Sequence, residues 1–187
     1  MEKLYRSLKL VLLVLIFVAL ILGAMILYQR LTEDYMPGAV ANTGSITDNP
    51  APDFTVLDDQ GKEVSLSGFQ GKPVIVNFWA SWCGPCKSEM PAFEQAYQTY
   101  GHGIQFMMVN LTDGVRETAT GAAEFIEEKG YTFPVYFDTG YSGAIAYNVT
   151  AIPATYFIDA DGNLIAKAQG ALNEERLQEY IDQLLAA

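Results

Sequence analysis

The chain has 187 residues, half of them hydrophobic, with 22 acidic and 11 basic residues and a formal net charge of −11. That balance speaks against nucleic-acid binding, which needs a basic face. Two cysteines and one histidine, His102, fall short of the four ligands a structural zinc site takes.

The first thirty residues stand apart. Lys3, Arg6 and Lys9 precede an uncharged apolar run of 18 residues, 10–27. As a helix it spans about 27 Å, against a hydrocarbon core of about 30 Å. Three basic residues before the run and Arg30 alone just after it place the N-terminus in the cytoplasm. The expectation is a cytoplasmic segment 1–9, a transmembrane signal-anchor helix 10–28, and an extracytoplasmic remainder on a single-pass membrane protein. A cleaved signal peptide is the alternative. Its apolar region is normally ~7–15 residues with a small-residue cleavage site close behind, whereas Ala39-Val40-Ala41 lies well past the run. No cysteine stands close behind the run to carry a lipid. Residues 29–50, with Pro37, Gly38, Gly44 and Pro50 and no periodic pattern, read as a flexible linker. Beyond residue 30 there are 7 basic and 21 acidic residues, a net of −14. This disfavours lying on anionic lipid and favours solubility.

Residues 51–187 read as one domain. Phe54-Thr55-Val56 and residues 63–66 flank Asp58-Asp59-Gln60-Gly61, a hairpin signature. Residues 73–79 form a near-continuous apolar strand, as when both faces are covered. A helix is expected over 83–100, kinked at Pro91. A buried strand follows at 104–111, then a helix over 115–129 stopped by Gly130. A short strand at 133–137 and a short helix at 141–147 come next. A second hairpin joins 155–158 to 163–168, and an amphipathic helix at 173–185 closes the chain, with Asn173 as its N-cap. The order predicts a three-layer α/β domain.

Cys83 and Cys86, the only cysteines, sit in Trp82-Cys83-Gly84-Pro85-Cys86-Lys87. A disulfide closing so short a loop adds little loop-entropy stability, so the pair reads as a dithiol that opens and closes. Strand, C-x-x-C, helix is the context for redox chemistry. Cys83 enters the helix first, near its unpaired N–H groups and positive dipole end, which lowers a thiol pKa. Cys83 is the expected nucleophile and Cys86, one turn deeper, the resolving thiol. Pro85 stiffens the turn between them. Glu89, three residues after Cys86, falls on the same side of the helix; spacing alone favours an ordinary solvated acid.

Val74-Ile75-Val76-Asn77-Phe78-Trp79-Ala80-Ser81 and the motif after it resemble the active-site strand and helix of thioredoxin. With Ala51-Pro52-Asp53-Phe54 and Ala151-Ile152-Pro153-Ala154-Thr155, residues 51–187 resemble the membrane-anchored TlpA/ResA-like thioredoxins, of the AhpC/TSA-redoxin type. The resemblance implies a thioredoxin fold with an N-terminal hairpin extension and an active-site glutamate at Glu89. Pro153 would then be the cis-proline facing the cysteines, where with Ile152 it leaves a backbone edge for an extended substrate. An ordinary turn proline is the alternative. Asn77 departs from thioredoxin's buried aspartate. Either Glu89 takes over its proton transfer or water does. Trp82 is assigned to the rim and Trp79 to packing. His102 reads as a loop residue between Gly101 and Gly103. Ala80 stands where a peroxiredoxin carries its threonine.

The expected activity is that of a thiol-disulfide oxidoreductase. Gly-Pro between the cysteines matches thioredoxin, a reductant near ~−270 mV, and favours the reducing direction. No cofactor and no metal are expected. The resemblance implies protein disulfide substrates, such as apocytochrome c or cell-envelope and sporulation proteins. It also implies a membrane thiol-transfer protein as electron donor. A copper-delivery protein of the same fold is the alternative, although that would want a wider cysteine spacing and a placed histidine. A non-redox binding module would leave the paired cysteines idle.

Overall fold

The computed structural model describes residues 49–187 and, apart from them, residue 21. The anchor expected from the sequence, residue 21 apart, and nearly all of the linker lie outside the described residues. Within them no helix is long and apolar enough to cross a membrane.

Among the described residues seven strands build one sheet: β1 (Thr55–Leu57), β2 (Glu63–Ser65), β3 (Val74–Trp79), β4 (Gln105–Asn110), β5 (Val135–Phe137), β6 (Ala154–Ile158) and β7 (Leu164–Gln169). Among residues 49–187 four helices join them: α1 (Gly84–Tyr100), α2 (Ala119–Lys129), α3 (Ser142–Ala146) and α4 (Glu174–Leu185). The strand order is β2-β1-β5-β4-β3-β6-β7. The central strands β3, β4 and β5 are parallel, so the loops that follow them leave one edge of the sheet together. The hairpins β1-β2 and β6-β7 pair antiparallel at the two flanks. This is the thioredoxin-like α/β fold with an N-terminal hairpin.

β3 is buried throughout, and its alternation divides the core. Ile75 and Trp79 face Met90, Phe93, Phe157, Leu177 and Ile181 beneath α1 and α4. Val74, Val76 and Phe78 face Phe54, Val56, Tyr147 and Tyr156 on the other side. Asn77 shares the α1 face with Ile75 and Trp79, because side chains alternate along a strand. α3 lies close on the opposite face. A Cβ at Gly143 would come within 2.9 Å of the Phe54 and Phe78 rings.

Three expectations shift. α2 starts at Ala119, four residues later than its pattern suggested. Asp113 Oδ1 accepts the N–H groups of Val115, Arg116 and Glu117 at 2.7–2.9 Å, holding them in a loop, and Thr118 caps the helix through Gly121 N. A 3-10 turn at Leu66–Phe69 follows β2 where none was expected. α1 runs unbroken through Pro91, which lies on its exposed face.

Candidate active site

The site forms where β3 ends. Cys83 is the N-cap of α1, with extended backbone angles, and its Sγ accepts the N–H of Cys86 at 3.2 Å. The two cysteines are joined as a disulfide, Cα to Cα 5.2 Å. Cys83 is 5% exposed and Cys86 fully buried, so a partner can reach only the first sulfur. Pro85 lies in the first turn of α1, where a missing N–H costs nothing.

The Ile152–Pro153 peptide is cis. β6 runs antiparallel to β3 with Ala154 opposite Phe78, which carries Pro153 to the exit of β3. Ile152 O then lies 3.8 Å from Cys83 Sγ. The Pro153 carbonyl is taken by Gly170 N at 2.9 Å. Among the described residues Ile152 has no backbone partner for its N–H or C=O, leaving a short open edge beside Cys83.

Glu89 is a buried acid and not the solvated one that spacing favoured. It is 1% exposed. Its Oε1 accepts Asn77 Nδ2 at 2.8 Å and its Oε2 accepts Leu172 N at 2.9 Å. Burial pushes its pKa from 4.5 up to about 7, against the lowering pull of the Leu172 N–H and the Asn77 amide. Burial disfavours the charged form more than two hydrogen bonds restore it. Asn77 also donates to Thr155 Oγ1 at 3.0 Å, its neighbour in register on β6, while Asn77 Oδ1 has no partner. Such a carboxyl, one helical turn beyond Cys86, can hold or release a proton near neutrality.

Trp82 is 42% exposed at the rim, whereas Trp79 is fully buried and packs against Phe125 with ring centroids 6.0 Å apart. His102 is exposed in a loop away from the cysteines. Among the described residues no group of three His, Cys, Asp or Glu side chains gathers to hold a metal.

Two neighbours escaped the sequence reading. Glu117, 1% exposed, accepts Ser81 N at 2.9 Å, Ser81 Oγ at 2.8 Å and Asn110 Nδ2. It thereby ties the loop after β4 to the loop that carries Trp82. Next to it, the Arg116 guanidinium stacks 3.6 Å from the Trp82 ring centroid. Ser81 and Trp82, which place them at the site, lie over thirty residues away in sequence, and no local pattern marks them.

The AhpC/TSA family model matches residues 47–167. The thiol-disulfide oxidoreductase ResA of Geobacillus kaustophilus is 33% identical over 168 residues, 89% of this chain and 92% of its own. That of Bacillus thuringiensis is 34% identical over 135 residues, 72% of this chain and 76% of its own. A crystal structure of a thiol:disulfide interchange protein of the thioredoxin family from Chlorobium tepidum superposes with TM-score 0.65 at 28% identity, covering 76% of this chain and 99% of that one. Fold, cysteine pair and relatives agree: the chain belongs to the AhpC/TSA family, among its thioredoxin-like members, and is a thiol-disulfide oxidoreductase of the ResA type.

Proposed function

We propose that the chain is a membrane-tethered, extracytoplasmic reductase of protein disulfides. The observation that supports this best is the pairing of a barely exposed Cys83 with a buried Cys86 at a helix N-terminus, beside the open edge of Ile152. In the reduced protein, Cys83 thiolate attacks one sulfur of a substrate disulfide. That S–S bond breaks, a Cys83–substrate mixed disulfide forms, and the departing thiolate takes a proton from water. Cys86 then gives up its proton to Glu89 and attacks Cys83 Sγ. The Cys83–Cys86 disulfide forms, and the second substrate thiolate leaves. The dithiol has given the substrate two electrons; the second thiolate, like the first, takes its proton from water, and the protons shed by Cys83 on ionising and by Cys86 through Glu89 pass to water. The extended substrate lies along Ile152 and Pro153, with Trp82 at the rim.

Re-reduction requires a dithiol donor. In an oxidising compartment the fitting class is a membrane thiol-transfer protein. The tether and its orientation rest on the basic residues before the apolar run. Insulin reduction in the presence of dithiothreitol tests the chemistry. The full chain is expected to accelerate it and Cys83→Ser to abolish the acceleration; equal rates would refute the assignment. A reporter fused at the C-terminus tests the topology, and activity of a cytoplasm-only reporter would reverse it.

A further inference from the structure

Arg116 is held from both sides. The backbone on its N-terminal side is fastened by Asp113, whose Oδ1 accepts the N–H groups of residues 115–117. On its C-terminal side Glu117 is buried and bonded to Ser81 and Asn110. Between these fixed points the guanidinium lies over the Trp82 ring, its Cζ 3.6 Å from the centroid. Trp82 directly precedes Cys83 in the chain. A stacked guanidinium keeps its N–H donors in its own plane, pointing outward from the ring. Among the described residues no carboxylate lies within the 4.0 Å of an ion pair with it; the two ion pairs there join Lys129 to Glu128 and Arg176 to Glu179. A cation held this way has already lost much of the side-chain freedom that binding would otherwise remove.

Cys83 therefore has two unlike flanks. One is the backbone edge of Ile152, 3.8 Å from the sulfur. The other is the Trp82–Arg116 stack. A substrate chain that delivers a sulfur to Cys83 along the first flank lays a neighbouring side chain over the second. We infer that Arg116 selects substrates with an acidic side chain next to the target disulfide, the carboxylate meeting the guanidinium at its open edge. The inference rests on Cys83 being the attacking sulfur. Only 7 of the residues from 49 onward are basic, against 18 acidic, so the selection acts at contact and not by long-range attraction. Asp113 stands near enough to feel the Arg116 charge and partly offsets it, which keeps the preference modest.

The test uses three disulfide-linked peptides that differ only in the residue beside the cysteine: Glu, Gln or Lys. The reduced full chain, in detergent, is mixed with each at low salt. The rate constant for the Glu peptide is expected to exceed that for Gln by roughly fivefold, the scale of an exposed ion pair, with Lys slowest. Arg116→Gln should bring the Glu-to-Gln ratio to about one, and Arg116→Lys, which keeps the charge, should retain part of it. A ratio of one in the wild type, or a ratio that Arg116→Gln leaves in place, overturns the inference while the redox assignment stands. No reduction of any of the three peptides would overturn both.

Discussion

Replacing Glu89 by Gln removes a charge from beside the dithiol without removing volume. Residues three apart on a helix have Cβ atoms about 5–6 Å apart, which gives the scale for a charge on Glu89 beside one on Cys86. At an effective dielectric constant of ~20, two unit charges ~6 Å apart repel by about 3 kcal/mol, or about two pKa units. Glu89 titrates near 7, so the thiols feel its full charge only above neutrality, where they would themselves ionise. Ionised Glu89 therefore raises the thiol pKa values, and Glu89→Gln should lower them by about one to two units. The two thiols and the carboxyl titrate as a coupled set, so the shift belongs to the group. The assay is alkylation of the reduced full chain between pH 5 and 10, with mass spectrometry to separate Cys83 from Cys86. Faster alkylation of the variant is expected between about pH 7 and 9, with the two profiles converging below about pH 6, where Glu89 is protonated. Profiles that overlay would refute the argument and leave Glu89 a purely structural acid.

The same carboxyl makes stability depend on pH. Its folded pKa lies above its unfolded one, so its contribution is complete below about 4.5 and is lost as pH rises through about 7, a change of roughly 3 kcal/mol. In urea unfolding of the oxidised protein, Glu89→Gln should therefore gain on the wild type between pH 5 and pH 8; an identical difference at both pH values would contradict this. Glu117→Ala strands the Ser81 N–H, the Ser81 hydroxyl and the Asn110 amide, and should cost about 2–4 kcal/mol in the same assay. A loss within the scatter of an ordinary surface substitution would remove Glu117 as the clamp. Gly143→Ala drives a methyl to 2.9 Å from the Phe54 and Phe78 rings and should cost about 1–3 kcal/mol while leaving cysteine alkylation unchanged.

What the sequence determined by itself is whatever depends on neighbours along the chain. Residues 74–79 read as a buried strand because their apolar run is continuous, and β3 is that strand. Asn173 is a cap because its side chain needs only the next turn, and it bonds Arg176 N. The cysteine pair is visible because both sulfurs lie within one helical turn. The start of α2 departs from its pattern for an equally local reason: three N–H groups have a competing acceptor in Asp113, which helical periodicity does not register. Only the tertiary structure decided the fate of Glu89. Its spacing from Cys86 fits a solvated face as well as a buried one. Packing beneath Leu172 and against Asn77 on β3 excludes water, and the loss of water is what moves its pKa. The same holds for Ile152, brought to Cys83 by the antiparallel pairing of β6 with β3, and for Glu117 and Arg116, brought to Ser81 and Trp82 by parallel strands whose following loops share one edge of the sheet. Burial and through-space charge depend on which distant segments meet, and residue types at fixed spacing carry no record of that.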